Sequence, residues 1–347
     1  MAIIAPDIGI DLGTANTQVY VKKKGVVIDE PSILVVDRGG RHAIRAIGEE
    51  ARALLGRTSG DVTAVRPLAE GMIRDFDMTQ YMLQYFVRKA IGASRLVKPR
   101  AVITIPCRIS PIERRAVRKA AVYAGVRDGQ LSLVEKPFAA ALGSGLPVFE
   151  PTGSMVVDIG GGTTEAAVIS LGGVVASKSI RIGGVKMDEA IIAYVKREFN
   201  MLIGDRTAED VKISLGAALP LKEERRVLVR GRDMITNLPQ TAELSSSQVY
   251  EALKAPCQAI LAAIQQVLER TPPELAGDVM RSGIHLTGGG AQLFGLDQFI
   301  ASELDIPVLL AREPMSCAAQ GAGYLAENIE LLHRISKSSF LREEGEE

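Results

Sequence analysis

The hydrophobic pattern of the chain is built around one unit that occurs twice. Between 155 and 169 an apolar run (Met155, Val156, Val157) ends in Asp158 and Ile159; Gly160, Gly161 and Gly162 follow, then the hydroxyls of Thr163 and Thr164, Glu165, and a second apolar run from Ala166 to Ile169. That order predicts a strand, a tight turn and an antiparallel return strand. It recurs near the start, where Ile8 and Ile10 lead to Asp11, then Leu12, Gly13, Thr14, Ala15, Asn16 and Thr17, with Val19, Tyr20 and Val21 returning. Gly25, Val26 and Val27 follow the first unit at nearly the offset at which Gly173, Val174 and Val175 follow the second. A period this long exceeds any solenoid repeat and predicts two related domains.

Between the units, 33–36 reads as a strand closed by Gly39 and Gly40, 42–74 is short and mixed as a small inserted lobe would be, and 77–91 has helical periodicity. A loop over 92–100 leads to a buried-type strand at 101–106. Ser110, Pro111 and Glu113 then form a helix start, with serine as cap, proline in the first turn and glutamate three residues after the cap; the helix stops at Gly125. A strand at 131–134 runs through Glu135, Lys136 and Pro137 into a helix of small residues, and Gly145, Leu146 and Pro147 read as a hinge.

After the second unit, 188–199 is helical, Thr207 caps a helix carrying Glu209 and Lys212, 225–241 resembles a hairpin turning near Gly231, and 247–270 is a long helix. A strand at 284–287 ends in Gly288, Gly289, Gly290 and Ala291, with a helix from Leu293; 314–323 opens a last helix long enough to cross back onto the first domain. The division expected is 1–145, with a lobe at 33–75 and the 318–335 helix packed back on it, then 146–317 with a lobe at 183–245, and an acidic tail at 336–347 that is expected to be disordered.

Composition narrows the classes. At 347 residues the length favours about two domains, and 47% hydrophobic against 24% charged residues is enough for two cores. Lysine and arginine balance aspartate and glutamate, so nothing global favours nucleic acid, and none is expected as a partner. Cys107, Cys257 and Cys317 form no paired motif, which points away from a disulfide framework or zinc site and fits a reducing cytoplasm. No apolar run reaches the roughly 18 residues of a membrane span.

The chemistry of the repeated unit is phosphate chemistry. Glycines let main-chain N–H groups approach a phosphate, a carboxylate at a strand end can hold a hydrated Mg²⁺, and threonine hydroxyls serve phosphate oxygens or water. Two facing turns would clamp one phosphate chain. Five segments line up in order: 11–17, 135–145, 158–165, 286–297 and 318–323. Their content resembles the actin/Hsp70/sugar-kinase superfamily, and Asp-Leu-Gly-Thr-Ala-Asn-Thr, Asp-Ile-Gly-Gly-Gly-Thr-Thr-Glu and Leu-Thr-Gly-Gly-Gly-Ala are most similar to the signatures of the bacterial actins of the MreB/Mbl family. An isolated glycine turn is often a plain hairpin; five segments in register leave that reading little weight.

The resemblance implies an α/β, actin-like fold of two ribonuclease-H-like domains, each with a small inserted subdomain, and ATP with Mg²⁺ in the cleft between them. It implies head-to-tail filaments on the inner face of the cell membrane that organise cell-wall synthesis and determine cell shape. Gly13, Thr14, Ala15 and Asn16 match one phosphate loop, Gly160, Gly161 and Gly162 the other, and Asp11 and Asp158 the acids around Mg²⁺, acting through water. Gly288, Gly289, Gly290 and Ala291 match the adenosine turn. The segment Glu209, Asp210, Val211 and Lys212 matches the ribose and adenine contacts, Glu209 and Lys212 sharing one helical face. A membrane adaptor of RodZ type, cell-wall elongation proteins and a co-polymerising paralogue are partners of the same kind of expectation.

One position departs. The family usually has a glutamate, which orients or deprotonates the attacking water, where this chain has Lys136. A charged ammonium has three donors and no acceptor, so it cannot take that proton, though it can attract a γ-phosphate. The expectation is tight ATP binding and slow hydrolysis, a weak ATPase at most, with Thr163 and Asp158 completing the catalytic set; the alternative is that Lys136 points to solvent and another group positions the water. Leu96 and Val97, among Arg95, Lys98 and Arg100, suit shallow insertion into an anionic leaflet and match a membrane-facing loop of the family; the other reading is a packed loop with solvated charges. Rival functions are a small-molecule kinase of the superfamily, which would need a catalytic acid facing a substrate pocket, an Hsp70-type chaperone, and a plasmid-segregation or division actin.

Overall fold

The computed structural model describes residues 6–38, 43–55, 61–92, 98–107, 109–328 and 330–332. Leu96, Val97, Gly39, Gly40 and the acidic tail lie outside these residues.

The chain opens with an antiparallel meander of β1 (Ile8–Leu12), β2 (Asn16–Val21) and β3 (Gly25–Pro31). A small lobe follows: β4 (Leu34–Asp37), β5 (Ile44–Ile47), α1 (Glu49–Leu54) and β6 (Val62–Val65), closed on its own core of Ile33, Val35, Ala46 and Ala51. After the short hairpin β7 (Leu68–Ala69) and β8 (Met72–Ile73), α2 (Phe76–Ile91) returns the chain to β9 (Ala101–Ile105), α3 (Pro111–Tyr123), β10 (Leu131–Glu135) and α4 (Lys136–Gly143). The start of α3 is a reciprocal capping box: Glu113 N donates to Ser110 Oγ at 3.2 Å, and Ser110 N to Glu113 Oε2 at 2.8 Å, a device that contributes about 1 kcal/mol.

The second half begins with the meander β11 (Ser154–Ile159), β12 (Thr164–Ser170) and β13 (Gly173–Ile180). Its lobe comprises α5 (Gly184–Phe199), β14 (Met201–Leu202), α6 (Asp205–Leu215), β15 (Arg226–Asp233) and β16 (Pro239–Ser245). Then come α7 (Ser246–Leu268), α8 (Pro273–Ser282), β17 (Ile284–Thr287), a 3-10 turn at Gly289–Gln292, α9 (Leu296–Leu304), β18 (Val308–Leu310) and α10 (Cys317–Glu327).

The two main sheets share one plan. Their orders are β10-β9-β1-β2-β3 and β18-β17-β11-β12-β13, with three antiparallel strands and two more added in parallel beside the first. Every residue of β11 is buried, as a strand covered by helices on both faces requires. Against the outer face of the first sheet pack Met82, Phe86 and Val87 of α2 and Ala120 of α3; against the second pack Ile191 of α5 and Ile260 and Ile264 of α7. Between the sheets, Phe138 and Ala139 of α4 and Ala318, Ala322 and Leu325 of α10 share a core with Val102 and Val134 of one sheet and Val156 and Ala167 of the other. α10 therefore lies against α4, β1 and β9, and Tyr20 Oη donates to Glu327 Oε1 at its far end (3.1 Å).

Several element boundaries differ from the sequence reading; α5, expected from 188, starts at Gly184. The hairpin turns at 234–238, beyond Gly231, which lies inside β15; a glycine is needed there because a Cβ would strike the Leu202 carbonyl oxygen of the neighbouring strand. Thr207 is not a helix cap, since α6 starts at Asp205 after Gly204. The helix expected from Leu293 starts only at Leu296, as α9, because Gly295 holds the backbone in a left-handed conformation just before it.

Candidate functional site

The repeated unit places its two acids at matching points. Asp11 and Asp158 each stand one residue before the end of the first strand of their sheet, and both are buried. A threonine on the adjoining parallel strand holds one oxygen of each: Thr104 Oγ1 donates to Asp11 Oδ1 at 2.5 Å and Thr287 Oγ1 to Asp158 Oδ1 at 3.1 Å. Thr104 and Thr287 were not singled out from the sequence. Their only signal is a hydroxyl near the end of an apolar run, which threonine's strand preference produces anyway.

Lys136 joins the two halves. It is the first residue of α4, and its Nζ lies 3.2 Å from Asp11 Oδ2 and 3.4 Å from Asp158 Oδ2. The alternative that it points to solvent is overturned: its side chain is 15% exposed and engaged on both sides. Burial by itself would lower its pKa, but Asp11, Asp158 and Glu165 outweigh burial and raise it, so the ammonium stays charged. Burial raises the Asp158 carboxyl, against the pull of Lys136. Glu165, fully buried on β12, is pushed up to about 8, first by burial; its Oε2 accepts from Cys107 N at 3.0 Å, while Oε1 has no hydrogen-bond partner among the described residues. Glu165 thus belongs to the same charged centre, although the sequence reading gave it no role.

The glycine turns meet face to face. A Cβ on Gly161 would lie 2.5 Å from Ala15 Cβ, and one on Gly162 would overlap Thr14 Oγ1. The first turn is fixed by Ser32 Oγ, which donates to Gly13 O at 2.6 Å, and by Gly71 N, which donates to Thr14 Oγ1 at 3.0 Å. The second is fixed by Gly160 N to Thr163 O (2.8 Å) and by the start of α5, where Gly184 N and Val185 N donate to the carbonyls of Gly160 and Gly161 (both 2.9 Å). Asn16 turns its amide away to Asp29 Oδ1 at 2.7 Å.

These groups line one cavity of about 1210 Å³ between the domains. Asp11, Gly13, Thr14, Ala15, Asn16, Lys136, Asp158, Gly160, Gly161, Gly162 and Thr163 border it on one side, and Glu209, Lys212, Gly288, Gly289 and Gly290 at the other end. The volume exceeds the upper end of ordinary small-molecule pockets. Gly288, at φ +82°, and Gly290 are glycines because a Cβ on either would collide with Ile159; the side of Gly289 is open. Lys212 donates to Gly184 O at 3.1 Å and pairs with Asp188 at 2.8 Å. Asp188, whose carboxyl burial pushes up to about 6, also lines the cavity and was missed, because the sequence reading used it only to open a helix.

Three expected contacts do not border the cavity. Asp210 is exposed on the outer face of α6, Val211 is buried in the core of the second half, and Ala291 is the buried residue of the 3-10 turn. Helical geometry explains the first two: with Glu209 and Lys212 on the cavity face, the intervening residues project elsewhere. Asp11 and Asp158 are brought together as expected of a Mg²⁺ pair, but around an ammonium. Their inward oxygens both face the Lys136 ammonium, whose fixed positive charge stands where a Mg²⁺ between them would lie. Among the described residues no group of three or more His, Cys, Asp or Glu side chains is arranged to hold a metal ion, and no helix is long and apolar enough to cross a membrane.

Residues 5–334 match the MreB/Mbl protein family. The cell shape-determining protein Mbl of Bacillus subtilis (strain 168) is 47% identical over 330 residues, spanning 95% of this chain and 98% of that protein. The cell shape-determining protein MreB of Escherichia coli (strain K12) is 47% identical over 329 residues, 94% of each chain. Among solved structures, MreB 5 of Spiroplasma citri bound to AMPPNP superimposes with a TM-score of 0.86 at 34% identity, covering 94% of this chain and 97% of the other. The MamK double helical filament shares the fold, with a TM-score of 0.75 at 22% identity over 92% and 98% of the two chains.

Proposed function

Since the chain belongs to the MreB/Mbl protein family, we propose that it is a bacterial actin that binds ATP in the interdomain cavity, polymerises head to tail on the inner face of the cell membrane and organises cell-wall synthesis to determine cell shape. The observation that carries this reading is the meeting of two duplicated strand–turn units, Ala15 against Gly161 and Thr14 against Gly162, at the floor of one large cavity. The relatives named Mbl and MreB are cell shape-determining proteins, and the Spiroplasma citri relative has been solved with AMPPNP and with ADP.

In this reading the main-chain N–H groups of Thr14, Ala15, Asn16, Gly161 and Gly162 hold the phosphate chain. Glu209 and the Lys212–Asp188 pair meet the ribose and base, and the open side of Gly289 lets the nucleoside lie against backbone. Thr163 holds the attacking water. With Lys136 charged and buried at the usual glutamate position, no acceptor there can take a proton from that water, so turnover of ATP to ADP and phosphate is slow. Filaments then exchange subunits slowly or depend on a paralogue, and a RodZ-type adaptor and the elongation proteins are the partners this role requires.

Electron microscopy of the purified protein with ATP tests the assembly: filaments support the reading, and their absence under all nucleotide conditions refutes it. Phosphate release from wild type and Lys136→Glu tests the chemistry, the variant being expected to be faster by about tenfold or more; equal rates would remove the role given to Lys136.

A further inference from the structure

The centre of the cavity floor holds two carboxylates and one ammonium in an arrangement that leaves little for a divalent cation to do. Asp11 and Asp158 each give one oxygen to a threonine, and the remaining two, both Oδ2, converge on Lys136 Nζ at 3.2 and 3.4 Å. Asp158 Oδ2 is fully shielded from solvent and, among the described residues, has no polar contact other than this ion pair. From the geometry we infer that the Lys136 ammonium takes the place of a divalent cation, so that this chain binds a nucleoside triphosphate without needing Mg²⁺.

The inference rests on the nucleotide reading above and deepens it. An ammonium carries three donors; two are committed to the carboxylates, which leaves a third for a phosphate oxygen. Lys136 stands close enough to the second turn to use it, since a Cβ built on Gly160 would lie 3.6 Å from Nζ. A Mg²⁺ ion, by contrast, needs near-octahedral oxygen ligands and keeps several waters. Here the two oxygens it would share through those waters already face the ammonium, whose fixed positive charge would repel it. Lys136 cannot easily swing out of the way: it leaves the first turn of α4, a helix buried between the two sheets, and its withdrawal would strand Asp158 Oδ2 without a partner.

Isothermal titration of ATP into the wild-type protein, once with millimolar Mg²⁺ and once with EDTA, tests this directly. The dissociation constant is expected to change by less than about threefold between the two media. Lys136→Gln, which keeps much of the side chain but not the charge, is expected to lose about tenfold or more in EDTA and to recover in Mg²⁺. A wild type that weakens tenfold or more in EDTA overturns the inference, as does a Lys136→Gln variant that binds in EDTA as the wild type does. Absence of binding in both media refutes nucleotide binding itself. The wild-type arm decides even if the variant fails to fold.

Discussion

Lys136→Met isolates what the ammonium contributes to the fold. Methionine keeps an unbranched stem of similar length, so packing against α4 changes little and the loss is chiefly one of charge. Asp11 and Asp158 then face each other across the cleft, buried, each with a single threonine hydroxyl as compensation. Removing one partner of a buried ion pair costs about 3–5 kcal/mol, because the remaining charge is left without a counterion. For domains of this size that corresponds to a melting temperature lower by roughly 10 °C. The deficit should also depend on pH in a definite sense. Burial already raises the Asp158 carboxyl and Lys136 opposes that rise, so without Lys136 the folded-state pKa goes further up. A carboxyl raised on folding stabilises at low pH and loses that contribution as pH increases through its folded pKa. The variant should therefore fall furthest below wild type at pH 8 and recover towards pH 5, by at most about 1.4 kcal/mol per pH unit for each proton taken up. Urea unfolding in EDTA at several pH values measures this. Equal midpoints at pH 8, or a deficit that does not shrink in acid, would refute the reasoning.

Glu165→Gln should flatten part of the pH dependence of stability. The wild-type carboxyl is pushed up to about 8 in the folded protein from an ordinary 4.5, so its stabilising proton is fully held below the lower value and lost as pH rises through the upper one, at up to about 1.4 kcal/mol per unit; parallel urea profiles for both proteins between pH 5 and 8.5 would contradict this. Gly162→Val puts a side chain where Thr14 Oγ1 already stands; titration with ATP should show binding reduced by about a hundredfold or more, and unchanged affinity would mean that the two turns do not form the phosphate site. Leu96→Ser combined with Val97→Ser should lower co-sedimentation with anionic liposomes by about an order of magnitude while leaving ATP binding intact, and undiminished co-sedimentation would remove the membrane role of that loop.

Much of the fold is legible because it rests on local rules. The strand–turn units announce themselves by the change from apolar residues to acid, glycine and hydroxyl, and α3 by a capping box that works within four residues. What stayed hidden depends on distant packing. Gly231 reads as a turn until Leu202 is known to lie against it. Asp210 and Val211 share a sequence segment with Glu209 and Lys212, yet only one face of α6 meets the cavity. Thr104 and Thr287 look like ordinary strand residues, and their pairing with Asp11 and Asp158 exists only once β9 lies beside β1 and β17 beside β11. The departure at Lys136 is visible in the sequence, whereas its two distances to acids 125 and 22 residues away are not.

The duplication also shows why one lysine can matter so much. The two sheets have matching topology, and each is followed by a helix, α4 after β10 and α10 after β18, that packs into the shared inner core. The first residues of these helices are therefore counterparts: Lys136 in one half and Cys317 in the other. Cys317 is neutral, its thiol pushed up to about 12 by burial and then by the charges of Asp158 and Glu313. The dyad is thus broken by a single cation, which must serve the acids of both halves at once. Asp11 belongs to the first sheet and Asp158 to the second, so drawing the two sheets apart would oblige the ammonium to release one of them. The cost of such a separation would fall on the parted form alone, so the Lys136 ammonium favours the arrangement in which Asp11 and Asp158 lie together, because parting them leaves one buried carboxylate without its counterion.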